Sequence, residues 1–367
     1  MDGARDIAGF IIPYSAGIFI SVVGAAALGS LIGPAASVSS AIAAISLIIM
    51  VLPCRKRIHP AFTRALIATA GVACGIMCGL TAVMTSWSHA ADTGWLADTA
   101  LSFRLSLEAT IDAIPFQSSD TSALIKALLT GNRESLPAHI SEAFRASGAS
   151  HILALSGLHL GMIYGILVKA LGILGNSPCA RIIRSVLITA SCGFYTLATG
   201  AGPSITRAFL FILLGEAGRM TGRDHSLGTI LASALLIQLS FAPLSAGSVG
   251  FQLSYAAMAG IAFIYPRIIG LWPERPSGPL RWIWKSAAIS ISCQLTTGPV
   301  AWHYFGTFPQ YFMLTNMTAL PLTGMIIPGA VAVIVLNLMG ICPDILIKNL
   351  EGIIVIMTDA LEIISTM

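Results

Sequence analysis

Three polar side chains in the apolar stretch Ser150–Gly175 are the first candidates for chemistry: His151, Ser156 and His159. The two histidines are eight residues apart, about 12 Å along a helix, so the pair alone cannot bind one metal ion. In an apolar helix such groups either make interhelical hydrogen bonds or line a water-filled path. Three glycines at a spacing of four predict close helix packing on the same stretch: Gly157, Gly161 and Gly165.

The next polar groups lie in Gly200–Arg223. Arg207 is predicted about one turn inside the outer membrane face, where a charge needs water, a partner or a route to the headgroups. It either extends to the outer headgroups or attracts a polyanion at an outer mouth. Glu216, nearer the inner end, is predicted to pair with Arg219 or Arg223.

Later apolar segments add polar side chains and helix breakers. Gly298-Pro299 and the prolines at 321 and 328 predict interrupted or kinked helices, which are stable at membrane depth only where protein or a water-filled cavity satisfies the backbone. These features together predict a translocation path with the following polar lining: His151, Ser156, His159, Arg207, Gln252, Gln294, His303 and Asn316.

No catalytic motif accompanies these residues. The sequence has no Walker A loop, no H-x-H-x-D-H metal motif and no serine elbow. Its seven cysteines form no CxxC pair and predict no disulfide framework. We therefore expect no enzymatic activity, no metal and no cofactor, and an energy source outside the chain for any transport.

The elements that position these groups follow from composition. Hydrophobic residues make up 56% of the chain and charged residues 10%, against roughly 25% in soluble domains. A bilayer accommodates that much apolar surface, with about 20 residues per spanning helix. The predicted fold is all-α, a polytopic transmembrane bundle with broken helices and spans near 7–29, 36–53, 64–86, 150–174, 184–200, 203–220, 226–242, 250–268, 284–304 and 312–338.

The distribution of Lys and Arg orients these spans. Alternating loops hold the basic residues, whereas the loops near 30–35, 243–249 and 305–311 hold none, which places the N-terminus in the cytoplasm. The predicted domains are three plain hydrophobic spans in 1–86, a small extracytoplasmic subdomain in 87–149, a core of about seven spans in 150–340 and an amphipathic helix in 341–367. Helices are predicted from Asp120 to Gly131 and from Pro137 to Gly148, whereas Leu101–Leu107 alternates like a strand.

Several segments resemble the ComEC family of competence proteins, the inner-membrane DNA-uptake channels of natural transformation. LIKALLTGNRESL is similar to the family's "ALLLGDR" segment, and GASHILALSGLHLG to its "G..HLLAISGLHVG" stretch. GAGPSITRAF, GFQLSYAAMAG and ISCQLTTGPVAWHYFGTFPQYFMLTNMTALPL follow in the family's order, and PYSAGIFI is similar to its first helix. The resemblance covers about residues 120–325.

The resemblance implies a multi-pass protein of the bacterial inner membrane that translocates single-stranded DNA into the cytoplasm. Many family members carry an external OB-like domain and a metallo-β-lactamase-like domain, and neither pattern is found in this sequence, so we expect the conducting membrane part without its own nuclease. The implied partners are single-stranded DNA, membrane lipids, an extracytoplasmic DNA-delivery protein, a cytoplasmic motor ATPase or single-strand-binding proteins, and a separate nuclease. Two alternatives stay open: a secondary transporter or flippase for a small or lipid-linked anion, and a non-conducting membrane scaffold.

Overall fold

A computed structural model describes residues 95–175, 177–221, 226–272, 278–306 and 311–366, with helical pieces at 11, 13–18, 20, 68–69 and 71–76. Within these ranges the secondary structure is helical and contains no strand, as the predicted all-α class requires. Most of the three N-terminal spans, and the basic residues between them, lie outside the described residues.

Thirteen helices are numbered here in chain order. They are α1 Trp95–Asp112, α2 Ser119–Thr130, α3 Ala138–Ala146, α4 Ser150–Leu153, α5 Gly157–Ala170, α6 Pro178–Ala198, α7 Pro203–Thr221, α8 Leu227–Phe241, α9 Val249–Ala259, α10 Tyr265–Ile269, α11 Pro279–Phe305, α12 Phe312–Leu338 and α13 Asp344–Ser365. Short 3₁₀ helices follow α5 and α8, and a π-helical turn, Gly260–Ile264, joins α9 to α10.

Serine side chains begin many of these helices. The hydroxyls of Ser118, Ser156, Ser177, Ser226 and Ser248 each accept a hydrogen bond from a backbone N–H of the first turn. A serine in this position satisfies an N–H group that has no partner within the helix. The helix boundaries therefore follow from local sequence, and from α6 onward they agree with the predicted spans to within a few residues, except at the start of α6 and of α11.

Leu101–Leu107, which alternates like a strand, lies inside helix α1. Helix α11 runs through Gly298-Pro299, and α12 through both of its prolines, so neither helix is interrupted there. The kinks that were the other alternative stay a prediction. Transmembrane helices accommodate proline when neighbouring groups satisfy the freed carbonyls, so proline position alone did not locate the breaks.

The real break lies in the segment predicted as one span, 150–174. Helix α4 ends at Leu153, Ala154 is extended at φ −73° and ψ 125°, and α5 starts after the extended cap Ser156. His151 therefore lies in a different helix from His159. By length and composition, three of the described helical segments could cross a membrane: Gly157–Leu174, Val249–Ile269 and Phe312–Leu338. The count of about ten spans stays a prediction.

The chain divides into two compact units, Met1–Asp92 with Asp224–Ala262, and Thr93–Arg223 with Phe263–Met367. In the first unit, a helical piece around Gly17 crosses one around Gly75, and the Tyr14 hydroxyl lies 3.2 Å from the Ser240 hydroxyl of α8. In the second unit, α5, α6 and α7 pack on one another, and α1, α2 and α3 share a core with α12 and α13. The predicted domain bounds, and the side of the membrane on which 87–149 lies, stay predictions.

Replacing Gly131 by alanine is expected to lower the free energy of unfolding by about 1 kcal/mol or more. Gly131 ends α2 with φ +78°, and a Cβ there would press on the Leu155 side chain. Gly161→Ala is the matched control, because it fills open space among the described residues inside a helix and should stabilise the protein slightly. Thermal unfolding in detergent micelles measures both changes, and an unchanged midpoint for Gly131→Ala would contradict the strain argument.

Candidate functional site

The break between α4 and α5 positions Ser156 and His159 against each other. The backbone N–H of Ser156 donates to His159 Nδ1 at 3.2 Å, and the Ser156 hydroxyl lies 2.9 Å from the same nitrogen. Nδ1 is therefore an acceptor, so the neutral imidazole carries its proton on Nε2. The His159 side chain is 1% exposed, and Nε2 has no hydrogen-bond partner among the described residues. The break thus presents one buried donor.

Helix α7 approaches the start of α5 closely. A Cβ built on Gly157 would lie 3.3 Å from the Ala208 Cβ, which brings the residue beside Arg207 against the α5 N-terminus. The Arg207 side chain is 4% exposed, and its Nη2 donates to the Ser204 carbonyl at 3.3 Å. The guanidinium is therefore buried within the protein, and its predicted role at an outer mouth stays a prediction.

The loop after α2 lies against the same break. Leu155 contacts Gly131, and Arg133 Nε donates to the Leu153 carbonyl at 3.1 Å. Asn132 Nδ2 donates to Glu108 of α1 at 2.9 Å. We call residues 131–133, 153–159 and 204–208 the motif junction, because three of the segments with family-like sequence meet there.

A second polar contact joins α11 and α12. Asn316 Nδ2 donates to the Ser290 hydroxyl at 3.4 Å, and Asn316 Oδ1 is buried without a partner among the described residues. Gln294 lies half-buried one turn along α11 from Ser290. Sequence reasoning selected Gln294 and Asn316 on separate grounds, and the packing of α11 on α12 makes them neighbouring parts of one helix pair.

The surroundings of three other predicted lining residues are as follows. His151 is exposed, with Nδ1 3.2 Å from the Gly148 carbonyl. His303 is exposed and stacks edge-on against Tyr304 with ring centroids 5.1 Å apart. Gln252 belongs to the other compact unit, where its Nε2 donates to the Ala246 carbonyl at 3.0 Å. The lining role of all eight residues stays a prediction.

Of the three glycines predicted to pack closely, Gly157 lies against a described helix, since a Cβ there would lie 3.3 Å from the Ala208 Cβ of α7. A Cβ built on Gly161 or Gly165 meets no described atom within 4 Å, so no described helix packs closely against either glycine. The spacing of four places the three glycines on one face of α5. Among the described residues, only the first of them, Gly157, contacts α7. The packing role of all three glycines stays a prediction.

A buried polar cluster that sequence reasoning largely missed lies between α5, α6 and α7. Glu216 is 4% exposed and accepts hydrogen bonds from the hydroxyls of Tyr164 and Ser185, both at 2.7 Å. Arg219 Nη1 donates to the same carboxylate at 2.8 Å, as predicted, and its guanidinium lies 5.9 Å from the Tyr164 ring centre. The Tyr164 and Ser185 contacts join distant segments, so no sequence spacing indicates them.

Metal ligation has no support in the described ranges, where no group of three His, Cys, Asp or Glu side chains could hold an ion. The chemistry that the described residues offer is hydrogen bonding from buried polar atoms in apolar helices. Such atoms need protein, water or a passing polar molecule as partner, because a buried unpaired group costs about 1–3 kcal/mol.

Comparisons with known proteins agree with the resemblance seen in the motifs. The family model described as "Competence protein" matches residues 128–367. "ComE operon protein 3" of Bacillus subtilis is 29% identical over 218 residues, covering 59% of this chain and 27% of that protein. "Competence protein ComA" of Neisseria gonorrhoeae is 27% identical over 209 residues, covering 55% of this chain and 29% of that protein.

An "Uncharacterized protein YcaI" of Escherichia coli is 27% identical over 247 residues, covering 64% of this chain and 31% of that protein. The chain thus spans less than a third of the length of these three relatives. No solved structure matches the chain.

Proposed function

Because this chain belongs to the competence protein family, we propose that it forms the membrane part of a conduit through which single-stranded DNA enters the cytoplasm. The chain is a membrane protein, with apolar helices long enough to cross a bilayer. Membership of the competence protein family supports a role in DNA uptake. We also propose that the chain lies in the inner membrane with its N-terminus in the cytoplasm.

The observation that supports a conduit best is His159 Nε2. This donor is buried in an apolar helix, has no described partner, and lies in a segment similar to the family's most characteristic stretch. Polar groups are rare in membrane-spanning helices because the bilayer offers them no hydrogen-bond partner, and they mark substrate or ion pathways. Single-stranded DNA carries one negative charge per nucleotide, so its path must be wet and polar.

His159→Ala and Asn316→Ala are expected to lower DNA uptake about tenfold or more, since each removes a polar group whose loss costs about 1–3 kcal/mol of interaction with the passing strand or its water. Uptake of fluorescent DNA by cells that depend on this protein measures the effect, with protein levels followed by immunoblot. The matched controls are His139→Ala, an exposed histidine of α3, and Asn337→Ala, at the other end of α12. Wild-type uptake by both test variants at normal protein levels would contradict the proposal.

The burial of His159 and Arg207 favours a second candidate, a membrane scaffold without a path. On the conduit proposal, the same burial describes a closed state that opens when DNA arrives. Planar bilayers containing the purified chain distinguish the two functions. Ionic current that appears when single-stranded DNA is added supports the conduit, whereas no current with or without DNA supports the scaffold.

A further inference from the structure

We propose that α1 and α2 form a re-entrant hairpin that dips into the membrane beside α12 and α13, with Glu351 of α13 holding its turn at membrane depth. The two helices lie antiparallel, since Asp112 pairs with Lys126 at 2.8 Å and Glu108 accepts from the Thr130 hydroxyl at 2.8 Å. The turn between them is residues 113–118. The inference does not depend on DNA being the cargo.

Helices α12 and α13 provide the reference frame from which depth in the membrane is measured. They pack antiparallel, because Leu350 lies against Gly329 and the Thr323 hydroxyl lies 3.7 Å from Met357 Sδ. Helix α12 exposes apolar side chains from Leu314 to Val335, whereas α13 exposes apolar side chains from Ile345 to Ile363 together with the charged Lys348 and Asp359. These stretches measure about 31 Å and 27 Å, close to the bilayer's hydrocarbon thickness of about 30 Å. Helix α12 is therefore long and apolar enough to cross the bilayer, and α13 packs along it.

The depth of the hairpin turn follows from two anchors on this frame. Thr315, near the start of α12, donates to the Ser147 carbonyl at 2.7 Å. Glu351 follows Leu350 and so lies level with Gly329, about 21 Å further along α12. Its carboxylate accepts from the backbone N–H of Gln117 at 2.5 Å. The turn therefore lies about 20 Å deeper than Ser147, well inside the hydrocarbon layer.

The length of α2 gives an independent measure of the same depth. The helix has 12 residues and is about 18 Å long. The C-terminal end of α2 lies at the level of Ser147. Gly131 at this end contacts Leu155, and the nearby Arg133 donates to the Leu153 carbonyl; both contacts are made with residues that follow Ser147 closely in the chain. A helix that ends at that level and runs along α12 begins close to the depth of Glu351.

Glu351 has the chemistry that such a turn needs. Non-helical backbone at membrane depth is stable only where protein or enclosed water satisfies its N–H groups. The Glu351 side chain is 8% exposed, and its Oε1 accepts from Gln117 and, at 3.4 Å, from the Ser118 N–H. A carboxylate at the start of α2 also interacts favourably with the positive end of the helix dipole.

The turn also exposes polar side chains at this depth. Asp112 keeps 52% of its side chain exposed, and Gln117, Ser118 and Ser119 are exposed beside it. Charged and hydroxyl groups are not stable against lipid tails. The hairpin therefore faces a water-filled recess that is open towards the side of the membrane where α12 begins.

Cysteine labelling tests the depth and the recess together. Ser119→Cys should react with a small charged methanethiosulfonate but not with a maleimide on a long polyethylene glycol chain. Glu134→Cys, in the exposed loop after α2, should react with both reagents. Mass spectrometry of the labelled peptides separates these sites from the native cysteines. Reaction of Ser119→Cys with the large reagent would place the turn at the surface, and reaction with neither would make the recess dry; either result overturns the proposal.

Glu351→Gln tests the positioning role. Losing a charge-assisted hydrogen bond should release the turn and raise the large reagent's reaction rate at Ser119→Cys by about tenfold to a hundredfold. Buried native Cys192 on α6 should stay protected, which distinguishes local release from unfolding. Glu362→Gln, an exposed acid on the same helix, is the matched control and should change nothing. An unchanged rate at Ser119→Cys, or a rise equal at both cysteines, would overturn the role of Glu351.

Discussion

Glu216→Ala is expected to lower the free energy of unfolding by about 3 kcal/mol, one of the two largest effects that we predict for a single side chain. The substitution leaves the Tyr164 and Ser185 hydroxyls, each 2.7 Å from the carboxylate, without their acceptor. Ser185 is buried, so water cannot replace that bond. Each buried group left unpaired costs about 1–3 kcal/mol, and the cavity left by the side chain adds to this.

The native thiol of Cys192, which is fully buried on α6, reports the unfolding. The temperature at which it begins to react with a thiol reagent should fall clearly in Glu216→Ala. Glu142→Ala is the matched control: this glutamate side chain is 58% exposed and pairs with the exposed Arg145, and exposed ion pairs contribute at most about 1 kcal/mol. Equal behaviour of the two variants would mean that the cluster does not stabilise the contact between α5, α6 and α7.

The cluster also shows where sequence reasoning succeeded and where it failed. The contact between Glu216 and Arg219 is local, three residues along one helix, and was predicted. The contacts with Tyr164 and Ser185 depend on how three helices pack, and nothing in their spacing indicates that packing. Buried polar atoms on separate helices are therefore the part of the candidate site that the sequence could not predict.

Helix positions were predictable for a physical reason. Spans such as 203–220 and 312–338 agree closely with α7 and α12 because apolar length is a local property, and α7 also begins at a proline. The break after Leu153 was missed because Ala154 and Leu155 have no breaker chemistry. Only the cap Ser156, with His159 three residues later, marks the new helix start.

The segment 87–149 was predicted as an extracytoplasmic subdomain because its charges give it a soluble composition. The structure pairs many of those charges internally, such as Asp112 with Lys126, and packs Leu124, Ile125 and Leu128 into one core with α12 and α13. Composition describes a segment as a whole, whereas the fold places its polar and apolar residues on different faces of the helices. A segment with paired charges and one strongly apolar face can therefore accompany membrane helices, which composition alone does not indicate.

Gly75→Leu is expected to disrupt the Met1–Asp92 part of the first unit and to lower the level of protein in the membrane several-fold. A Cβ on Gly75 would overlap the Tyr14 carbonyl, and one on Gly17 would overlap the Val72 carbonyl, so the two helices touch backbone to backbone. Neither carbonyl can move without displacing its helix, which makes the clash more severe than ordinary overpacking at about 1–3 kcal/mol. Gly71, Gly75 and Gly79 have the spacing that favours such crossings, although these spans were predicted to be plain hydrophobic helices.

Membrane fractionation with immunoblotting measures the level, and limited proteolysis of the extracted protein measures the fold. Gly161→Leu is the matched control, because its helix offers open space there among the described residues and the change should have little effect. Gly17→Leu should reproduce the defect of Gly75→Leu, since the two glycines contact each other's helix reciprocally. Normal levels and protease resistance in Gly75→Leu would show that the two helices do not cross at this point in the membrane.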